Sequence, residues 1–390
     1  MHRMCAQWAA LIALLLAASG AAAAGDLGFS ADIGLEVTYA PVPPASYDIT
    51  SGLTLAFAIS GVSLASETEF SLAGFSSECM TIGADLGAVR IGEEIRFEPY
   101  FAWNDLSFDL SIVGIEIGMQ WIFADIGGPQ TPSYSMGTVF RLASSLACGF
   151  SITSLTGFGA TGLVNLLDGV LAPFSHELLC VFEHLDALCE ETADLDVTIV
   201  DGFYFEEELV RLEADYLGMM ASGTTWFDAY GLSSMLFELG YRFDDPTLRF
   251  LTSMALDGTF GIVGAGFILD LEIETVRFTS HTMFAAPVVP TLIPIAFDGQ
   301  RFGVSFEVCG VLVTSSTDFD DAFLFSRELI GIEAAIGPVT FASLTTFDAS
   351  GFAEQRVCAG VTFSGVVLFT HTEFDVTGIQ LVTFGFHVVI

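Results

Sequence analysis

From Leu27 to Tyr39 the chain alternates without exception. Leu27, Phe29, Ala31, Ile33, Leu35, Val37 and Tyr39 are apolar or aromatic, while Gly28, Ser30, Asp32, Gly34, Glu36 and Thr38 are small or polar. Successive side chains of an extended strand point to opposite faces, so a period of two predicts a strand with one oily side and one wet side. The pattern returns along most of the chain. Ile49, Leu53, Leu55, Phe57 and Ile59 alternate with Asp48, Thr50, Gly52, Thr54 and Ala56, and Val113, Ile115, Ile117, Met119, Trp121 and Phe123 with Gly114, Glu116, Gly118 and Gln120. Phe97, Phe101 and Trp103 oppose Glu94, Arg96, Glu98 and Tyr100, and Val357, Val361, Phe363, Val367 and Phe369 oppose Gly360, Thr362 and Ser364.

Turn chemistry separates these segments in a repeated form. Phe70-Ser71-Leu72-Ala73-Gly74-Phe75 matches Phe347-Asp348-Ala349-Ser350-Gly351-Phe352 and Phe374-Asp375-Val376-Thr377-Gly378-Ile379. Looser copies start at Phe227 and Phe306, and the three tight copies carry Thr68, Thr345 or Thr372 two residues before the Phe. Asp or Ser at the first corner with Gly three residues on is the preference of a type I turn, so the unit reads as strand end, tight turn, strand start. With about 10 residues per membrane strand, the chain predicts roughly 18 to 26 strands in a continuous meander.

Composition asks where such a chain can live. Hydrophobic residues make up 52% of the 390 positions, with 37 Phe, yet 48 acids face 11 basic residues for a formal charge of −37. All the basic residues are Arg, so lysine chemistry is excluded, and a basic footprint for nucleic acid is missing. Disordered chains are polar as well as charged, which this chain is not. The N-terminus predicts a secretory signal over residues 1–24: a basic start at His2 and Arg3, an apolar stretch from Trp8 to Ala18, then Ala22, Ala23 and Ala24 before Gly25. The mature part, 25–390, reads as one domain without an apolar run long enough for a membrane helix; the stretch from Phe284 to Phe297 is broken by Pro287, Pro290 and Pro294.

A strongly hydrophobic exported chain without helical spans needs another home for its oily faces. A water-soluble sandwich would have to wet its outer face, and soluble proteins rarely expose apolar patches above a few hundred square ångströms. In a bilayer every backbone group must be paired internally, and for strands only a closed barrel achieves that. The expected fold is therefore all-β, a large antiparallel up-and-down transmembrane β-barrel. At its end, Val382, Phe384, Phe386, Val388 and Ile390 alternate with Thr383, Gly385 and His387. With the signal and the alternating strands, this terminal strand resembles the bacterial outer-membrane β-barrel class, porin-like in character, without matching one family. It departs from the class in ending on Ile rather than Phe, in having 8 Tyr and 4 Trp against 37 Phe, and in its scarcity of long loops. The resemblance implies an outer-membrane location, with the lipid bilayer, the barrel-assembly machinery and further copies of the chain as partners.

Three constellations bear on chemistry. Gly157-Phe158-Gly159-Ala160-Thr161-Gly162 fits G-x-G-x-x-G, but no parallel βαβ context accompanies it, so a Gly-rich strand or turn is the better reading. His176, Cys180 and His184 recur every four residues beside Glu177, Glu183 and Cys189; this run reads as a surface helix or strands, with Cys180 and Cys189 close enough in sequence for a bridge. Cys79, Cys148, Cys309 and Cys358 sit in strand-like segments as small apolar residues. No catalytic residue, metal ligand or cofactor is expected. The candidate pore-lining residues are Asp32, Glu36, Asp48, Glu94, Arg96, Glu98, Asp109 and Glu116, which fall on the polar side of their strands. Rings of Asp and Glu favour cations, so the expected function is passive, cation-preferring diffusion of small solutes. The rival is a structural cell-envelope sheet without transport activity.

Overall fold

A computed structural model describes residues 27–41, 46–59, 61–128, 131–146, 149–166, 197–244, 247–285 and 295–389. The expected signal, Cys148, the 176–189 run and the prolines at 287, 290 and 294 lie outside the described residues. The strands are Leu27–Ala40 (β1), Ser46–Ile59 (β2), Val62–Ser71 (β3), Gly74–Asp85 (β4), Val89–Glu98 (β5), Tyr100–Ile112 (β6), Ile115–Asp125 (β7), Tyr134–Leu146 (β8), Phe150–Phe158 (β9), Ala160–Thr161 (β10), Thr198–Ile199 (β11) and Phe205–Tyr216 (β12). They continue as Met219–Asp228 (β13), Gly231–Asp244 (β14), Thr247–Asp257 (β15), Ile262–Ile273 (β16), Val276–Ala285 (β17), Ala296–Val308 (β18), Val311–Phe319 (β19), Phe325–Ile336 (β20), Val339–Asp348 (β21), Gly351–Phe363 (β22), Val366–Asp375 (β23) and Gly378–Val389 (β24).

All but β10 and β11 form one 22-stranded sheet in which sequence neighbours pair antiparallel and β9 pairs with β12. The sheet closes on itself: β1 pairs with β24 from Asp32↔Val389 to Tyr39↔Val382. The expected up-and-down barrel is therefore what forms, with its strand number inside the expected range. At about 4.8 Å between strands and a tilt near 40°, such a barrel is roughly 40 Å across.

Pairing register assigns the two faces. On β1 the outer residues Leu35, Val37 and Tyr39 are exposed, while Glu36 and Thr38 between them are half-buried inside. Side chains of the inner register on β9, β12, β13 and β18 line one shared cavity, which fixes that face as the interior. Three positions expected on the oily face depart from simple alternation. Trp103, expected on the oily face, turns inward and is 9% exposed, because Ala102 is an extra residue between the pairs Phe97↔Phe101 and Arg96↔Trp103. Val367 and Phe369 also point inward, Val367 opposite Thr362 and His387 and Phe369 opposite Gly360 and Gly385, because the two-residue turn at 364–365 puts Phe363 and Val366 on the same face. A Cβ at Gly385 would collide with the Phe369 ring.

The two ends of the barrel use different turns. At the end that carries Leu27 and Val389, Val113-Gly114, Leu217-Gly218, Cys309-Gly310 and Ser364-Gly365 have positive φ at both central residues, the type I′ signature that matches strand twist. Cys309 therefore sits in an exposed turn rather than in a strand, and the looser copy at Phe306 belongs to this end. At the opposite end lie the other four copies of the repeat. There Asp228, Asp348 and Asp375 accept the backbone N–H two residues on at 2.7, 2.7 and 2.6 Å, and Gly74, Gly231, Gly351 and Gly378 have φ between 118° and 126°. A bulge follows each turn, and all nine register shifts between described strands fall at this end. Most adjoin a Phe, and Phe70–Phe75, Phe97–Phe101 and Phe347–Phe352 meet edge to face at 6.3, 6.0 and 6.2 Å. The Phe surplus is in part an aromatic rim built by the turn repeat.

Gly378→Ala strains a left-handed residue and is expected to cost about 1 kcal/mol. Gly52→Ala, in extended backbone with nothing within 4 Å of the added Cβ, is expected to be neutral. The temperature at which the folded, fast-migrating band is lost in detergent gels checks both.

Candidate pore and its charged inner wall

Asp32, Glu36, Asp48, Glu94, Arg96, Glu98, Asp109 and Glu116 all lie on the inner register of β1, β2, β5, β6 and β7. They form two groups. Near the closing seam, the Glu36 carboxylate accepts the Thr38 hydroxyl at 3.2 Å, Thr38 and Thr383 share a hydrogen bond at 3.0 Å, and Asp32 lies 3.6 Å from His387 Nδ1. Farther round, Arg96 and Glu98 pair at 2.8 Å, Glu94 accepts the Cys79 thiol at 3.1 Å and stands opposite Asp105, and Glu116 is 3.8 Å from Arg141. The strands between contribute Glu67, Glu69 and Asp85 on the same face. The sequence reading missed these three and Asp105, although their parity against Leu64, Ile82 and Leu106 carried the signal. The inner wall of β1–β7 thus presents eleven acids against Arg90 and Arg96.

Every described arginine faces inward: Arg90, Arg96, Arg141, Arg211, Arg242, Arg249, Arg277, Arg301, Arg327 and Arg356. An always-charged side chain is costly in hydrocarbon, so in a barrel the lumen is where it can be solvated or paired. Arg211, Arg249, Arg277 and Arg301 line a cavity of about 750 Å³ against β9 and β12–β19. Arg277 grips Asp270 with two bonds of 2.9 and 2.6 Å. Asp318 is shared, bound twice by Arg301 (2.5 and 3.0 Å) and twice by Arg327 (3.2 and 3.1 Å). Arg211, 8% exposed, pairs with Glu213 at 2.7 Å, while its Nε and Nη1 meet no hydrogen-bond partner among the described residues. The wall of β1–β7 is therefore plainly acidic, and that from β12 to β20 is cross-linked by charge.

A lumen this wide would discriminate little if it were empty; known 22-stranded barrels have plugged lumens. Here the described parts of the connection between β9 and β12 turn inward. Its described ends hold Leu163 and Ala160, both 0% exposed, with Val197 and Ile199. These pack in one cluster with inner residues of β6 through β15, among them Trp103, Ile122, Leu155, Leu209 and Trp226. β10 and β11 pair as Ala160↔Ile199, Ser135 donates its hydroxyl to Val200 O at 2.7 Å, and Glu207 accepts Gly162 N–H at 2.9 Å. Glycine makes the approach possible. A Cβ at Gly157 would stand 2.5 Å from Ala160 O, and one at Gly137 2.7 Å from Ile199 Cδ1. The G-x-G-x-x-G string is thus a strand end and an inward turn, with Gly159 and Gly162 at positive φ.

No protein-family model matches the chain, and no curated protein matches it in sequence. Among solved structures it is similar to the siderophore receptor PirA from Acinetobacter baumannii, at TM-score 0.56 and 6% identity over 93% of this chain and 80% of that one. It is also similar to the copper transporter OprC, at TM-score 0.50 and 8% identity over 94% and 81%. A mutant porin from Rh. blastica aligns over 93% of this chain and all of its own, but at TM-score 0.35 it adds nothing. The chain has the fold of the outer-membrane β-barrels.

Arg301→Gln removes two charge-assisted bonds from the half-buried Asp318 carboxylate, and each such bond contributes about 1.5–3 kcal/mol. A loss of about 2 kcal/mol is expected, since Arg327 remains, and urea unfolding of the barrel in lipid vesicles measures it.

Proposed function

We propose that the protein is a passive channel of the outer membrane that prefers small cations, and that it performs no chemistry. The observation that carries this reading is the inner wall of β1–β7, where eleven carboxylates face two arginines in a water-accessible lumen. Fixed carboxylates raise the local cation concentration and repel anions within a Debye length, about 8 Å at physiological salt. The inward segment held by Gly137 and Gly157 narrows the path, so that solutes pass close to this wall rather than through open water. Assembly belongs to the same proposal: Phe384, Phe386 and Val388 of β24 face outward, as a terminal strand read by the barrel-assembly machinery would present them. Association of copies is part of it too, through the apolar outer surface.

Conductance of the purified mature chain in planar bilayers tests the proposal. Discrete steps with a reversal potential on the cation side of zero are expected in a salt gradient. Replacing Asp32, Glu36, Glu94 and Asp109 together by their amides is expected to lower the cation-to-anion permeability ratio several-fold. Gly157→Leu, which forces the inward segment off the wall, is expected to raise the step size. A flat trace supports the structural-protein rival, and anion selectivity contradicts the assignment of the acids.

A further inference from the structure

The outside of the barrel has a polar collar toward one end, and midway along β5 and β6 one further outer polar pair, in which Asn104 donates to Glu93 at 3.0 Å. Two to four residues in from the Phe rim, the outer face carries Thr68, Thr156, Thr225, Thr345, Thr372 and Gln300 on strands spread around the barrel. At the end that carries the termini, the last outer pairs are apolar, such as Ile112↔Ile115, Ile336↔Val339 and Phe363↔Val366, with Ser144 between Ile115 and Ile152 as a small polar exception. The collar also includes carboxylates. Glu78 stands between Thr68 and Phe97, Glu208 between Thr156 and Phe227, and Glu328 between Thr317 and Phe347. Ser66 donates to Glu78 at 3.4 Å and Ser315 to Glu328 at 3.4 Å. Among the described residues no base accompanies them: the chain has no Lys, every described Arg is internal, and His281, His371 and His387 are internal as well.

We propose that this collar sits among uncharged, hydroxyl-rich lipid headgroups, a glycolipid layer, and not among anionic ones. A negatively charged headgroup surface rewards each Lys or Arg near it by about 1 kcal/mol and repels carboxylates. A collar of three carboxylates without one cation among the described residues is the reverse of what such a surface selects. Zwitterionic choline headgroups remove the repulsion but offer no hydrogen-bond donor, and an ionised carboxylate only accepts. Sugar hydroxyls both donate and accept, which suits Glu, Thr and Gln in one ring. The confinement of the collar to one end assigns this lipid to one leaflet, beside the Phe rim. The inference concerns the outer surface and does not depend on conduction.

The full mature chain is folded into vesicles of phosphatidylcholine alone, of phosphatidylcholine with digalactosyl diacylglycerol, and of phosphatidylcholine with phosphatidylglycerol, at low salt. The midpoint for heat loss of the fast-migrating band is read in each. It is expected to be highest with the galactolipid and lowest with phosphatidylglycerol, several degrees apart. Glu78→Gln, Glu208→Gln and Glu328→Gln combined are expected to close at least half of that gap, and each alone a smaller part should the triple variant not fold. Glu36→Gln with Glu94→Gln, which removes the same kind of charge from inside, is expected to leave the gap unchanged. Equal midpoints in galactolipid and phosphatidylglycerol, or a gap that survives the outer substitutions and follows the inner ones, overturn the proposal. A midpoint in phosphatidylcholine as high as in galactolipid overturns the role of the sugar.

Discussion

A backbone amide in hydrocarbon has no water to fall back on. Leaving one unpaired costs several kcal/mol, so a chain that crosses a membrane as strands must end by pairing its last strand with its first. The seam between β1 and β24 is therefore the contact on which the remaining architecture depends. Closure fixes an inside and an outside, and period-two alternation then sorts side chains onto them. Short turns follow from the same demand, since each hairpin must return the chain without stranding backbone groups. The x-Gly type I′ turns at one end and the Asp-x-x-Gly turns at the other are two solutions, and both need glycine where φ is positive.

Once the faces are fixed, the unusual composition becomes a matter of placement. The apolar surplus covers the outside, and the Phe excess concentrates in part at one rim through the bulged turns. The described arginines, few as they are, all lie inside, where carboxylates such as Asp270 and Asp318 can hold them. The lumen is then divided between an acidic wall, a charge-paired wall and an apolar cluster around the inward segment. This distribution is hard to reconcile with a sheet stacked on other copies: a stacked sheet would have two faces to cover with apolar residues, and this barrel has one.

Much of this was legible in the residues. Strict alternation from Leu27 to Tyr39 gave the strand, its faces and the inward direction of Asp32 and Glu36, because no bulge interrupts β1. Where a bulge or a two-residue turn resets the parity, simple counting failed, as at Trp103 and Phe369. Those resets are local backbone events with little signature beyond a neighbouring Gly or Phe. The repeat at Phe70, Phe347 and Phe374 was readable as a turn, but its place at one common end required the pairing. The inward packing of Leu163 and Ile199 was not readable, since contacts between a connection and strands up to β15 follow no sequence period. Gly137 and Gly157 were visible only as glycines; what they make room for is a property of the closed lumen.

The closing seam offers the most direct measurement. Thr38 on β1 and Thr383 on β24 face each other inside the barrel with their hydroxyls 3.0 Å apart. Thr38→Cys combined with Thr383→Cys is expected to form a disulfide in the membrane-inserted chain, joining the first strand to the last. The product should unfold only on reduction when heated in detergent, while either single substitution should behave like the parent. Failure of the pair to cross-link in the folded, membrane-inserted protein would mean that the first and last strands are not neighbours, and the account of the barrel would be wrong.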